Sequence, residues 1–349
     1  MLNSAVHEKL QQGGVIPAHP LALNEDKTLD EAGQRALTRY YMQAGSDGIA
    51  VGVHTTQFEI RDHGLYETVL RLAMEEVERR DLSRPFIKVA GVCGPTEQAV
   101  EEAKLANSIG YDLALLSMGG LHHLSEEQLL ERTKAVAAIM PVFGFYLQPA
   151  VGGRVLSFDF WKAFAEIPNV LAIKLAPFNR YHTLEVAKAV CHSTRKDEIA
   201  LYTGNDDNIV VDLLTTFQFT VDGVLVEKEI VGGLLGHWAV WTKRAVELFE
   251  QVKQVKRSGE MDLSLLTLAQ EVTDTNAVLF DAANQFKGCI AGINEILARQ
   301  GILKGAWCLL DQERLSPGQS AAIDRVYKEY PHLTDDDFVQ KHITEGRPN

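Results

Sequence analysis

The stretch Asn169–Asn179, NVLAIKLAPFN, is a short apolar run that contains one lysine, Lys174. A run of this length, bounded by Pro168 and Pro177, is typical of a strand buried on both faces. A lysine rarely lies in such a strand, because burying an unpaired ammonium group is costly. Burial lowers the pKa of an amine, and the neutral amine is a nucleophile towards carbonyl carbon. Lys174 is therefore either a nucleophile or a lysine that reaches water or pairs with a carboxylate.

Seven other short apolar segments occur along the chain, and helix signals such as the capping box Ser125–Gln128 separate them. The eight predicted strands are Gly13–His19, Asp47–Val53, Phe86–Gly91, Asp112–Ser117, Val142–Gln148, the Asn169–Asn179 stretch, Ile199–Thr203 and Gly223–Val226. They do not alternate between apolar and polar residues, which favours parallel strands covered on the outside. Eight such units predict an α/β fold, a (β/α)8 TIM barrel. A doubly wound open sheet is the alternative, but it would leave two edges.

Two regions are predicted along the chain. Residues 1–258 form the barrel domain with an N-terminal leader, and residues 259–349 form a C-terminal helical region packed on the barrel. The Gly232–Gly236 stretch is predicted to be a turn that leads into the last barrel helix.

Composition excludes several classes of function. The net charge of −13 argues against a nucleic-acid-binding surface. The four cysteines are widely spaced and are expected to be reduced, as in a cytoplasmic protein. We expect no signal peptide and no membrane span. No metal-ligand spacing is present, so no metal site is predicted.

The active site of a (β/α)8 barrel lies at the C-terminal ends of its strands. The polar residues at these predicted ends are His19, Thr55, Thr56, Ser117, Tyr146, Lys174, Asn205, Asp206, Asp207, Glu227 and Lys228. Tyr146 and Lys174 come from adjacent strands and are expected to face one another across the mouth. The phenol would then carry protons to a carbonyl carbon bound to the lysine, and Thr55 or Thr56 would pass the proton on or bind a carboxylate.

These residues resemble a known family, the pyruvate-type class I aldolases that include dihydrodipicolinate synthase and N-acetylneuraminate lyase. The resemblance covers about residues 14–330. Its strongest elements are Phe145–Pro149, a Tyr-x-x-Pro turn, and the downstream pair Ile173-Lys174. Thr55-Thr56 and Thr203–Asp206 are weaker elements.

The resemblance implies a role for each matched residue. Lys174 would form the Schiff base, Tyr146 would carry protons, and Thr55 and Thr56 would hold the substrate carboxylate and the relay. Asp206 and Asp207 either cap a helix or contact substrate hydroxyl groups, as the likeness to sugar-acid lyases suggests. The charged end of the predicted eighth strand, with Glu227, indicates a polar second substrate or an internal salt bridge. The family needs no cofactor and commonly forms tetramers or dimers.

Three departures from the family pattern argue against the lysine-pathway synthase itself. Val151 replaces the arginine that binds the semialdehyde carboxylate, although Arg154 follows three residues later. Gly119-Gly120 replaces a tyrosine pair that completes the relay from a neighbouring subunit. His54–Glu59 replaces a glycine-rich turn.

The sequence therefore predicts a lyase or aldolase that acts on a pyruvate-like 2-oxo acid through Lys174. One alternative is a dehydratase or aldolase of 2-keto-3-deoxy sugar acids that uses the same imine. Another is a relative that binds keto acids without catalysis.

Overall fold

A computed structural model describes residues 2–80 and 82–344 of the chain. The strands are β1 (Val15–Pro17), β2 (Gly48–Val51), β3 (Ile87–Val92), β4 (Leu113–Ser117), β5 (Val142–Leu147), β6 (Val170–Ala176), β7 (Ala200–Thr203), β8 (Thr216–Val221) and β9 (Val224–Leu235). The first nine α-helices are α1 (Ser4–Gln12), α2 (Glu31–Ala44), α3 (Tyr66–Arg79), α4 (Thr96–Ile109), α5 (Glu126–Ala137), α6 (Phe158–Glu166), α7 (Arg180–Cys191), α8 (Ile209–Leu214) and α9 (Thr242–Ser258). The last four are α10 (Ser264–Leu279), α11 (Cys289–Arg299), α12 (Gln319–Glu329) and α13 (Asp336–Val339), and a π-helical turn, Gln340–Thr344, follows them.

The sheet confirms the predicted fold class. Its strands follow the order β1-β9-β7-β6-β5-β4-β3-β2, and β8 lies outside this path. The pairs from β3 to β7 and the pair β7–β9 are parallel, as expected for strands connected by helices. The fold is a (β/α)8 barrel with a helical C-terminal extension.

The chain divides into two compact units. The first contains residues 1–14 and 87–234, and the second contains residues 15–86 and 235–349. The predicted domain boundary after residue 258 coincides with the end of α9 but not with these units, so it stays a prediction. Residues 263–344 contain helices and no strand, as predicted, whereas Met1, Asp81 and residues 345–349 of the predicted regions lie outside the described residues.

The predicted position of the eighth barrel strand is wrong. Residues 223–226 belong to the tip of a hairpin in which β8 pairs with the first half of β9 in antiparallel orientation. The barrel strand is the second half of β9, where Ile230, Gly232 and Gly233 pair with β7. The glycines therefore lie in a strand and not in a turn. Gly232 is required there because a Cβ would lie 2.5 Å from the backbone nitrogen of Gly14.

Successive residues of each strand point alternately to the helices and to the inner face, which we define as the side of the sheet away from the helices. Gly144 in β5 is a position that faces the helices, because a Cβ at this residue would lie 2.5 Å from Cε1 of Phe164 in α6. Its neighbours Phe143 and Phe145 consequently occupy the inner face. Phe143 meets the ring of Tyr202 at 5.1 Å between centroids.

Within the described ranges, no helix has both the length and the apolar character that a membrane crossing requires. No disulfide joins the four cysteines.

The contact between Gly144 and Phe164 makes Gly144→Ala destabilising. The added methyl overpacks the interface of β5 and α6, and we expect a loss of about 1–3 kcal/mol in the free energy of unfolding. Urea unfolding followed by circular dichroism measures this loss. Combining it with Phe164→Leu should restore part of the stability, whereas strictly additive losses would contradict the proposed clash.

Candidate active site

Lys174 lies on β6 and points to the inner face. Its position in the parallel register is beside Phe145 on β5 and Tyr202 on β7. The side chain is only 7% exposed. Its Nζ lies 4.3 Å from the centroid of the Phe145 ring, a distance at which a cation is attracted to the ring face. The lysine found inside an apolar strand is thus a buried amine.

The chain after β7 runs close beside Lys174. The backbone N–H of Gly204 donates to the carbonyl of Leu175 at 2.6 Å, which continues the pairing of the two strands. A Cβ on residue 204 would lie 2.5 Å from Cε of Lys174 and 2.8 Å from Cβ of Ala176. Glycine is therefore required at this position to leave room for the lysine side chain.

Asp206 is the acidic group that acts on Lys174. The side chain of Asn205 turns to the helix side, where it donates to Thr183 and Asp212, and the preceding Gly204 lies against the Lys174 side chain. Asp206 follows in the turn after β7. Asp206 is 7% exposed. Burial lowers the pKa of Lys174 to about 8, and the negative charge of Asp206 opposes this shift.

The β7–α8 loop that carries Asp206 is held from the helix side by the buried carboxylate of Asp212. This carboxylate accepts hydrogen bonds from Thr203 Oγ1 at 2.7 Å, Asn205 Nδ2 at 2.9 Å and Asn208 Nδ2 at 3.0 Å, and it pairs with Arg180. Because strand, loop and helix all donate to one carboxylate, the position of the loop is fixed.

Tyr146 does not face Lys174, so this prediction of the sequence is wrong. In the register Tyr146 lies beside Leu175, one residue out of phase with Lys174. Its ring packs against Trp161 of α6 at 5.2 Å and stacks on His182 of α7 at 6.0 Å. Burial in this helix layer raises the pKa of the phenol to about 12. The residue that occupies the expected place beside the lysine is Phe145, which has no hydroxyl group.

Thr55 and Thr56 belong to the second compact unit, in a single 3-10 turn. The hydroxyl of Thr56 donates to the carbonyl of His19 at 2.6 Å and accepts from the backbone N–H groups of Gly52 and Val53. The hydroxyl group of Thr56 therefore stabilises the loop that follows β2 and joins it to the end of β1. Thr55 is buried, with 5% of its surface exposed. The roles predicted for the two threonines stay predictions.

The last two predicted residues, Asp207 and Glu227, are exposed. Asp207 follows Asp206 in the loop. Glu227 lies in the hairpin half of β9, where its carboxylate accepts from Gln218 Nε2 at 2.7 Å. It precedes the barrel part of the strand and is not at its C-terminal end, so the reason for predicting a substrate contact is wrong.

Sequence reasoning missed the role of Phe145 and the need for glycine at position 204. A register shift between Val142 and Phe143 decides which residues of β5 face the same side of the sheet as Lys174. No local sequence pattern reveals this shift. In the described part of the chain, no group of three or more His, Cys, Asp or Glu side chains could hold a metal ion.

Comparison with known proteins agrees with this architecture. A profile of the dihydrodipicolinate synthetase family matches residues 11–308. The chain is 26% identical over 218 residues to the 4-hydroxy-tetrahydrodipicolinate synthase of Moorella thermoacetica, covering 62% of this chain and 71% of that protein. It is 24% identical over 208 residues to the N-acetylneuraminate lyase of an Enterobacter species, covering 58% and 66%.

A solved structure shares the fold. The dihydrodipicolinate synthase of Acinetobacter baumannii, a chloride-inhibited form complexed with pyruvate, superposes with a TM-score of 0.72 at 20% identity. The match covers 90% of this chain and 98% of that chain. The family match spans most of the chain and includes all strands and the site residues described above. The chain therefore belongs to the dihydrodipicolinate synthetase family, whose relatives named here are lyases of the class I aldolase type.

Proposed function

We propose that the protein is a lyase or aldolase that forms a Schiff base between Lys174 and a pyruvate-like 2-oxo acid. The observation that carries this proposal is the buried amine of Lys174, whose pKa is lowered to about 8. An amine with this pKa is partly neutral near pH 7 and can attack a ketone. Membership of a lyase family supports the same chemistry.

The proposed reaction needs no cofactor. The neutral amine attacks C2 of the 2-oxo acid, and loss of water gives a protonated imine. The imine withdraws electrons from C3, so a bond to C3 can be made or broken. Aldol cleavage, aldol addition and dehydration of a 2-keto-3-deoxy acid all proceed through this intermediate.

We infer that the second substrate differs from that of the lysine-pathway synthase. By the sequence resemblance, Val151 corresponds to the carboxylate-binding arginine of the synthases. The guanidinium of the nearby Arg154 is engaged, because it donates to the carbonyls of Leu121 and Leu124. The Gly119-Gly120 loop provides no phenol in place of the tyrosine pair.

A second candidate function is a non-catalytic binder of 2-oxo acids. The position of Tyr146 favours this candidate. The tyrosine that would carry protons in the family packs against the helices and does not lie beside Lys174. A binder would form the imine without turnover, which separates it from the enzyme. Asp206 and Asp207 remain proposed substrate contacts in both cases, and the roles of Thr55 and Thr56 remain proposals.

We also propose a cytoplasmic homo-oligomer, a tetramer or dimer. The absence of disulfides and the exposed Tyr181 and Leu184 on α7 are consistent with this proposal.

The test of the imine is reductive trapping. Incubation with pyruvate and borohydride, followed by digestion and mass spectrometry, should give a carboxyethyl adduct on Lys174. Lys174→Met should abolish the adduct. Lys162→Met, which removes an exposed lysine of α6, is the matched control and should keep it. Absence of an adduct on Lys174 with a panel of 2-oxo acids would refute the proposal.

The lowered pKa of Lys174 predicts the pH dependence of imine formation. The protonated amine is not a nucleophile, so the initial rate of trapping should rise as the pH increases through about 8 and then level off. Quenching with borohydride at short times over a pH series measures this rate. An inflection near the ordinary lysine value of about 10.4 would contradict the buried environment.

A further inference from the structure

Because Tyr146 does not face Lys174, another residue must carry protons at this site. Imine formation and the following step at C3 each require an acid and a base within reach of the substrate. On β5 the residue beside Lys174 is Phe145, which cannot transfer a proton. On β7 the residue beside it is Tyr202, but this phenol donates to the carbonyl of Leu10 in α1 at 2.9 Å. Neither neighbouring strand thus provides an available phenol.

We propose that Asp206 is the catalytic acid and base of this enzyme and takes the place of a tyrosine. This inference rests on the proposed Schiff base at Lys174. Asp206 is suited to the role by position, because it lies two residues after Gly204, whose backbone lies against the lysine side chain. It is buried, and its charge acts on the amine.

The hydrogen bonds of Asn205 hold the start of the turn that carries Asp206. The Asn205 side chain accepts from the backbone N–H of Phe178 at 3.0 Å and donates to Asp212 at 2.9 Å. Asp212 in turn is anchored to Thr203 and Arg180. A rigid loop that presents one carboxylate to one amine is the arrangement that proton transfer requires.

The protons balance through one carboxyl group. The Asp206 carboxylate takes a proton from the Lys174 ammonium, and the neutral amine attacks C2 while the carboxylic acid protonates the ketone oxygen. The carboxylate then removes a proton from the nitrogen of the carbinolamine and returns it to the hydroxyl group, which leaves as water. The product is a protonated imine with Asp206 again ionised. Removal of a C3 proton by this carboxylate gives the enamine, and reversal of the step reprotonates C3.

The experiment follows the C3 step without knowledge of the second substrate. The protein is incubated with pyruvate in D2O, and exchange of the methyl hydrogens is measured by NMR. Trapping with borohydride measures the amount of imine on Lys174 in parallel, so exchange is expressed per imine. Wild-type protein is compared with Asp206→Asn, Asp206→Glu and Tyr146→Phe. The matched control is Asp222→Asn, which removes an exposed carboxylate at the hairpin turn.

Asp206→Asn should form the imine more slowly than wild type and, once it has formed, should lose exchange per imine by about 100-fold or more, the contribution typical of general acid–base catalysis. Asp206→Glu should recover part of the exchange, and Asp222→Asn should behave as wild type. If Asp206→Asn does not fold, Asp206→Ala assayed with and without added formate replaces it, and formate should restore exchange.

Two results would overturn the assignment. Exchange per imine that stays within a few-fold of wild type in Asp206→Asn would show that the carboxylate only positions the lysine. Loss of exchange in Tyr146→Phe with retention in Asp206→Asn would return the role to the phenol. Failure of the Schiff-base proposal is distinct, because wild-type protein would then give no adduct on Lys174.

Discussion

The burial of the Lys174 amine determines which residues can surround it. A charged ammonium group is unstable in an apolar strand unless nearby groups compensate for its lost hydration. Here the ring face of Phe145 and the carboxylate of Asp206 provide that compensation. Gly204 leaves the space for the side chain. Because the compensation is incomplete, the pKa of the amine remains lowered, which is the property that imine chemistry needs.

The position of Asp206 depends on residues that do not touch the lysine. Its loop is held by Asp212, whose carboxylate collects donors from the end of β7, the loop and the start of α8. These residues lie on the helix side of the sheet, whereas the charge of Asp206 acts on the amine of Lys174. One loop is thus anchored on the helix side and carries the carboxylate that acts on the amine.

The alternating directions of successive strand residues explain why Tyr146 is not placed as the family resemblance implied. A shift of one residue in register moves a side chain to the opposite face of a strand. Tyr146 is therefore packed between Trp161 and His182, and Phe145 takes the inner position. Glu227 is displaced for another reason, since β9 is long enough to form a hairpin before it enters the barrel.

The sequence by itself determined the repeated strand and helix pattern, the barrel and the lysine in an apolar strand, because these follow from local periodicity and composition. It also contained the motif that marks the family. Tertiary structure alone decided which aromatic residue lies beside Lys174, where the eighth barrel strand begins and why position 204 is a glycine. These features depend on strand register and on close approach between segments that are distant in the chain. No single stretch of sequence contains both partners of such a contact, so no local pattern predicts it.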